Sequence, residues 1–166
     1  MSKKQLEPGQ FMGWNVSNKE NYLNLCKLAS TGKEFESFRR NSDYTKILDA
    51  FIKELGENSL KIIETDYPHL LNNFEEFAKN DEVGDPITDT FSVNGQSVKI
   101  SPNTIKYIKI LGEIEHHIGS LNNMNIVEIG GGYGGQCRLI SCNHKFNTYT
   151  MMDLPDVMAL QKRYLS

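Results

Sequence analysis

Residues 125–157 read NIVEIGGGYGGQCRLISCNHKFNTYTMMDLPDV, and their order decides the fold class. Asn125-Ile126-Val127-Glu128-Ile129 is short, apolar and β-branched, the pattern of a buried parallel strand. Gly130-Gly131-Gly132-Tyr133-Gly134-Gly135 follows at once. Gln136 to Ser141 opens a helix, with Cys137, Leu139 and Ile140 apolar. After a polar turn at Asn143 to Asn147, Thr148-Tyr149-Thr150-Met151-Met152 forms a second strand, and Asp153 stands at its carboxyl end. Strand, glycine loop, helix, strand and acid together predict a parallel β-α-β unit and an α/β fold.

Each part has a physical reason. A tight strand-to-helix turn needs backbone angles that glycine adopts cheaply, and missing side chains let a ligand approach the main chain. Ligands of such sheets bind outside the carboxyl ends of the strands, where these loops sit. An acid 23 residues after Gly130 can accept hydrogen bonds from both hydroxyls of a ribose. Gly130, Gly132 and Gly135 also satisfy the dinucleotide pattern G-x-G-x-x-G, which alone is weak. Glu128 discriminates. An acid just before the turn suits a cofactor with a cationic amino-acid tail, and sits poorly beside a pyrophosphate, which wants amides and positive potential.

Val127-Glu128-Ile129-Gly130-Gly131-Gly132-Tyr133-Gly134-Gly135-Gln136 resembles motif I of class I S-adenosylmethionine-dependent methyltransferases, and is especially similar to bacterial sugar O-methyltransferases. Asp153-Leu154-Pro155-Asp156-Val157 resembles the D-L-P-x-V segment of that group. Val83-Gly84-Asp85-Pro86 and Ser101-Pro102-Asn103-Thr104-Ile105-Lys106-Tyr107 resemble its lead-in. The resemblance is specific from about Val83 onward and only general before it. It implies a Rossmann-like sheet, S-adenosyl-L-methionine as cofactor, and a saccharide or other small-molecule hydroxyl as acceptor. Carried over by position, Glu128, Gly130 and Gly132 line the methionine and ribose side, Asp153 holds the ribose hydroxyls and Leu154 lies against adenine. Tyr133 and Gln136 join this set as residues on or just after the loop, with plain packing an equal reading for both. The N-terminal helices and hairpin correspond to a substrate-side or dimer-forming appendage, so a homodimer through those helices is the implied assembly.

Outward from this stretch, residues 123–166 form the start of a cofactor-binding domain, 81–122 a hairpin and lead-in helix, and 1–80 a mainly helical region. Asn94-Gly95 between Phe91-Ser92-Val93 and Ser97-Val98-Lys99-Ile100 predicts a hairpin, because both residues accept positive φ. Ser101 caps a helix with Pro102 at its first position. Ile105, Ile108, Leu111, Ile114 and Ile118 face inward, and Gly119-Ser120 ends the helix near His116 and His117, which suit its dipole better than a metal. Earlier, Asn18 caps a helix that Ser30-Thr31-Gly32 breaks. Lys33 to Arg40 forms a short helix or turn, with Phe35 and Phe38 on one side. Ser42 or Asp43 caps a helix through Ile47, Leu48, Phe51, Ile52 and Leu55 that Gly56 ends. Ser59 to Thr65 and Leu70 to Phe77 are helical on either side of Pro68. Phe35, Phe38, Phe51, Phe74 and Phe77 read as core.

The 166 residues are 39% hydrophobic and 23% charged, enough apolar content for a packed core, and the net charge is −3. No long basic run suggests nucleic acid, and no apolar run reaches the about 20 residues that span a bilayer. The N-terminus, Met1 to Gln10, has no signal-peptide pattern, so the expected compartment is cytoplasmic. Cys26, Cys137 and Cys142 lack zinc spacing, and with His144 read as structural or solvent-facing. No metal is expected. Two other classes compete with a methyltransferase: a nicotinamide-dependent oxidoreductase using the same turn, and a non-catalytic helical interaction module. A helix from Ala159 to Leu165 closes the chain after about two of the seven strands the resemblance implies. The expectation is therefore a fragment, with weak cofactor binding, no catalysis, and any base beyond Ser166.

Overall fold

A computed structural model describes residues 16–48 and 52–166. The order is α1 (Val16–Thr31), α2 (Ser42–Thr45), α3 (Lys53–Asp66), α4 (Phe74–Ala78), β1 (Asp89–Val93), β2 (Gln96–Ile100), α5 (Pro102–Ile118), β3 (Asn125–Ile129), α6 (Gly135–Asn143), β4 (Thr148–Met152) and α7 (Pro155–Tyr164), with 3₁₀ turns between the early helices. The fold is mixed α/β. No helix among the described residues is long and apolar enough to cross a membrane.

The β-α-β unit forms as its sequence predicts. β3 and β4 pair in parallel, Asn125 opposite Thr148 through Ile129 opposite Met152. The β1–β2 hairpin turns at Asn94 and Gly95, whose φ angles of 50° and 77° are those of a type I′ turn. Ser101 caps α5, its hydroxyl oxygen accepting from the Thr104 amide at 3.1 Å, with Pro102 next. Gly119, at φ 86°, ends that helix.

Several boundaries differ from expectation. α1 begins at Val16, so Asn18 lies inside it. The cap of α2 is Asn41, whose side chain accepts from the Asp43 amide at 2.9 Å. The single helix expected from Ser42 to Leu55 is two, since α2 stops at Thr45 and Ile52 is extended before α3. Gly56 ends nothing. It sits within α3, where a Cβ would come 2.8 Å from Phe91 Cζ and 3.1 Å from Pro102 Cβ. This glycine lets α3 close on the hairpin and α5. Phe51 and the opening segment through residue 15 lie outside the described residues. The last helix starts at Pro155, earlier than expected, because proline suits a first helical turn.

Two apolar clusters hold the described residues. One joins Leu60, Ile63, Phe74, Phe77, Phe91, Ile100, Ile105, Ile108, Leu111, Leu139 and Ile140. The other joins Tyr22, Leu25, Cys26, Ala29, Phe38, Tyr44, Tyr133, Val157, Leu160 and Tyr164. Tyr107 packs against both. Ile118 is 60% exposed, not inward. β3 is parallel but not buried: Val127 is exposed and Ile129 is 82% exposed. A two-stranded sheet covered by helices on one face leaves the alternate residues of the other face in solvent.

Gly56→Ala is expected to destabilise the fold by about 1–3 kcal/mol through overpacking against Phe91. Urea unfolding followed by circular dichroism checks this.

Candidate functional site

The glycine turn is held from below by β3, from the side by Asp153 and from behind by Tyr133. The parallel pairing continues one step past β3, with the Gly130 amide donating to Met152 O at 2.9 Å. The turn then closes through the Gly134 amide to Gly131 O at 3.0 Å. Gly130, Gly132 and Gly134 have φ of 76°, 56° and 97°, a sequence of angles that side chains with a Cβ rarely adopt.

The turn is open at one end and packed at the other. Gly130 is exposed, and a Cβ there would meet nothing within 4 Å. Gly131 to Gly135 are buried. Around them, Leu48 Cδ1 lies 2.9 Å from where a Gly132 Cβ would stand, and Leu165 Cδ1 lies 3.1 Å from where a Gly134 Cβ would stand. The bare backbone available to a ligand is therefore at Gly130, beside Glu128.

Asp153 clamps the turn. Its Oδ2 accepts from the Gly132 amide at 3.2 Å and from Gln161 Nε2 at 3.4 Å, and its Oδ1 accepts from the Leu154 amide at 2.8 Å. Gln161 also donates to Gly132 O at 2.8 Å, so one buried amide ties α7 to both turn and acid. Sequence reading missed Gln161; its signal is only a polar residue at a core position of the final helix. A carboxylate has about four acceptor sites, so Asp153 retains capacity, most of all at Oδ1.

Glu128 is half-buried on the face of β3 that Tyr149 shares. The Tyr149 hydroxyl donates to Glu128 Oε2 at 3.0 Å. Burial pushes the Glu128 carboxyl above the usual carboxylate range, the Tyr149 hydrogen bond opposes this, and the Asp153 charge adds to the rise. The Asp153 charge is therefore near enough to act on Glu128. Asp153 also borders α1: burial first, and then the charges of Asp153 and Asp156, push the Cys26 thiol up to about 12, although its hydrogen bond with Tyr22 works against the rise.

Tyr133 is fully buried, so its side chain anchors the turn rather than lining its open end. Its hydroxyl accepts from Asn80 Nδ2 at 2.9 Å, Arg39 stacks 4.7 Å above its ring, and Tyr164 meets it edge-on at 4.8 Å. Asn80 also donates to Thr104 Oγ1 at 2.7 Å and accepts from the Tyr164 hydroxyl at 2.6 Å. Arg39, itself fully buried, pairs with Asp81 at 3.1 Å and donates to Asn80 O at 2.9 Å. Gln136 is 7% exposed. Its Nε2 donates to Tyr107 O at 3.3 Å, and its Oε1 finds no partner among the described residues. Leu154 caps α7 and packs against the α1 cluster.

The remaining candidates are structural. Burial and then the Glu128 charge push the Cys137 thiol up to about 11. Cys142 donates to Arg138 O at 3.2 Å. His144 Nε2 meets Glu115 Oε1 at 2.7 Å. No cluster of three metal-ligating side chains occurs among the described residues.

Arg39→Met leaves Asp81 buried without its cation, and is expected to cost about 3–5 kcal/mol. Tyr133→Phe removes one buried hydrogen bond and is expected to cost about 1 kcal/mol. Denaturant midpoints for both variants measure the difference. Comparison with protein-family models, with curated proteins and with solved structures finds no match for this chain.

Proposed function

We propose that this chain carries the S-adenosyl-L-methionine-binding part of a Rossmann-like methyltransferase, of the kind that methylates a sugar hydroxyl. One observation carries the reading. Glu128 and Asp153, at the carboxyl ends of adjacent parallel strands, flank a glycine turn whose first residue is bare and exposed. An anionic group on either side of an open backbone suits a ligand with an ammonium at one end and a ribose at the other. It does not suit a pyrophosphate.

In this reading Glu128 takes the ammonium of the methionine tail. The spare acceptor capacity of Asp153 takes the ribose hydroxyls, and Gly130 lets the ligand approach the main chain. Leu154, beside Asp153, offers an apolar surface to the base. Tyr133 and Gln161 act behind the site by fixing the turn. The bound cofactor supplies an activated methyl on a sulfonium, so the protein's part is chiefly to position donor and acceptor. The sugar acceptor rests on the sequence resemblance alone.

Ligand-detected NMR with millimolar S-adenosylmethionine is expected to show binding to this chain. Glu128→Gln and Asp153→Asn are each expected to weaken it by about tenfold or more, the worth of a hydrogen bond to a charged group, with circular dichroism of Glu128→Gln unchanged. Binding of NAD in place of S-adenosylmethionine, or of neither, overturns the proposal.

A further inference from the structure

Glu128 is held by two features outside the glycine motif. Tyr149 lies two residues before Met151, the residue paired with Glu128 across the sheet. It therefore occupies the diagonal position on the same face. Its hydroxyl meets Glu128 Oε2 at 3.0 Å. The same oxygen rests over Gly131, where a Cβ would come within 2.8 Å of it. Oε2 is thus fixed between a phenol and bare backbone, and Oε1 has no protein partner among the described residues.

Among the described residues, the titratable groups acting on Glu128 are Tyr149 on β4, Asp153 at the end of β4 and Cys137 on α6. None is a cation. Burial and the Asp153 charge both oppose ionisation of Glu128, and the Tyr149 hydrogen bond is what favours it. A carboxylate must be ionised to hold an ammonium strongly.

We infer that Tyr149 is a positioning residue of the cofactor site, its hydroxyl holding Glu128 in the orientation and charge state that capture an ammonium group. This rests on the cofactor reading above. The sign follows directly. Capture needs the deprotonated acid, so it is lost as pH falls through a midpoint above the ordinary carboxylate range. Removing the hydroxyl raises that midpoint, so capture is lost sooner on acidification.

The experiment has two arms. In the first, the Glu128 side-chain carbon is followed by carbon-13 NMR across pH in the ligand-free chain, for wild type and Tyr149→Phe. Phenylalanine keeps the ring that packs on Phe146 at 5.3 Å, so the fold is expected to persist. The midpoint is expected to rise in the variant; an unchanged midpoint overturns the inference. In the second, S-adenosylmethionine affinity is measured at pH 8 and pH 5. The variant's affinity is expected to fall at least about threefold more over this range than wild type's, as loss of a hydrogen bond to the charged form requires. In a Glu128→Gln background, Tyr149→Phe is expected to have no further pH effect. An acid limb that does not move, or that moves equally without Glu128, overturns the inference. Absence of wild-type binding at both pH values, with a shifted Glu128 midpoint, overturns the cofactor reading and leaves Tyr149's control of Glu128 standing.

Discussion

The rest of this structure depends on one buried polar junction. Asn80 reaches Thr104 at the start of α5, Tyr133 in the glycine turn and Tyr164 in α7 with a single amide. Arg39 closes the junction from the N-terminal side by holding the Asn80 carbonyl and the Asp81 carboxylate. A buried cation and a buried amide are costly unless every partner is in place. The segments that meet here therefore have one arrangement relative to each other, which apolar packing alone would not impose. Tyr133 and Tyr164 of the second cluster bond to this junction, and the turn inherits its position from it.

That dependence explains the division of labour along the turn. Tyr133 points backward into the junction, and Gly135 leaves room for it, since a Cβ there would strike the Tyr133 hydroxyl at 2.5 Å. With the rear of the turn locked, the front stays bare at Gly130 and flanked by acids. Asp153 and Gln161 brace the middle through the Gly132 amide and carbonyl. Rigid support behind an open backbone is what a preorganised ligand site needs, because little ordering remains to be done on binding.

The local signals were legible in the sequence where chemistry is local. The Asn94-Gly95 hairpin, the Ser101-Pro102 helix start and the strand-turn-helix-strand order of 125–153 all rest on backbone preferences of a few adjacent residues, and all formed. What could not be read was set by residues distant in the chain. Gly56 reads as a helix stop, yet its role is to admit Phe91 from the hairpin. Tyr133 reads equally as a loop residue near a ligand or as packing, and Asn80 and Arg39, distant in the chain, decide for packing. The partners of the site acids, Tyr149 and Gln161, carry no motif; only the pairing register and the docking of α7 bring them to Glu128 and Asp153. Ile129 reads as buried because the pattern of a strand does not say how many neighbours it has.

The contact between the first and last described helices has a consequence for how the chain is made. Arg163 in α7 donates to Ala29 O and Gly32 O at the end of α1, across 134 and 131 residues, and its guanidinium covers Phe35. At about 5–20 residues per second of synthesis, on the order of ten seconds separate the emergence of these two helices from the ribosome. Throughout that interval Tyr22, Leu25 and Ala29 have no α7 to cover them. The nascent chain carries these buried-type side chains uncovered until α7 emerges, so the second cluster closes late relative to the helix that begins it.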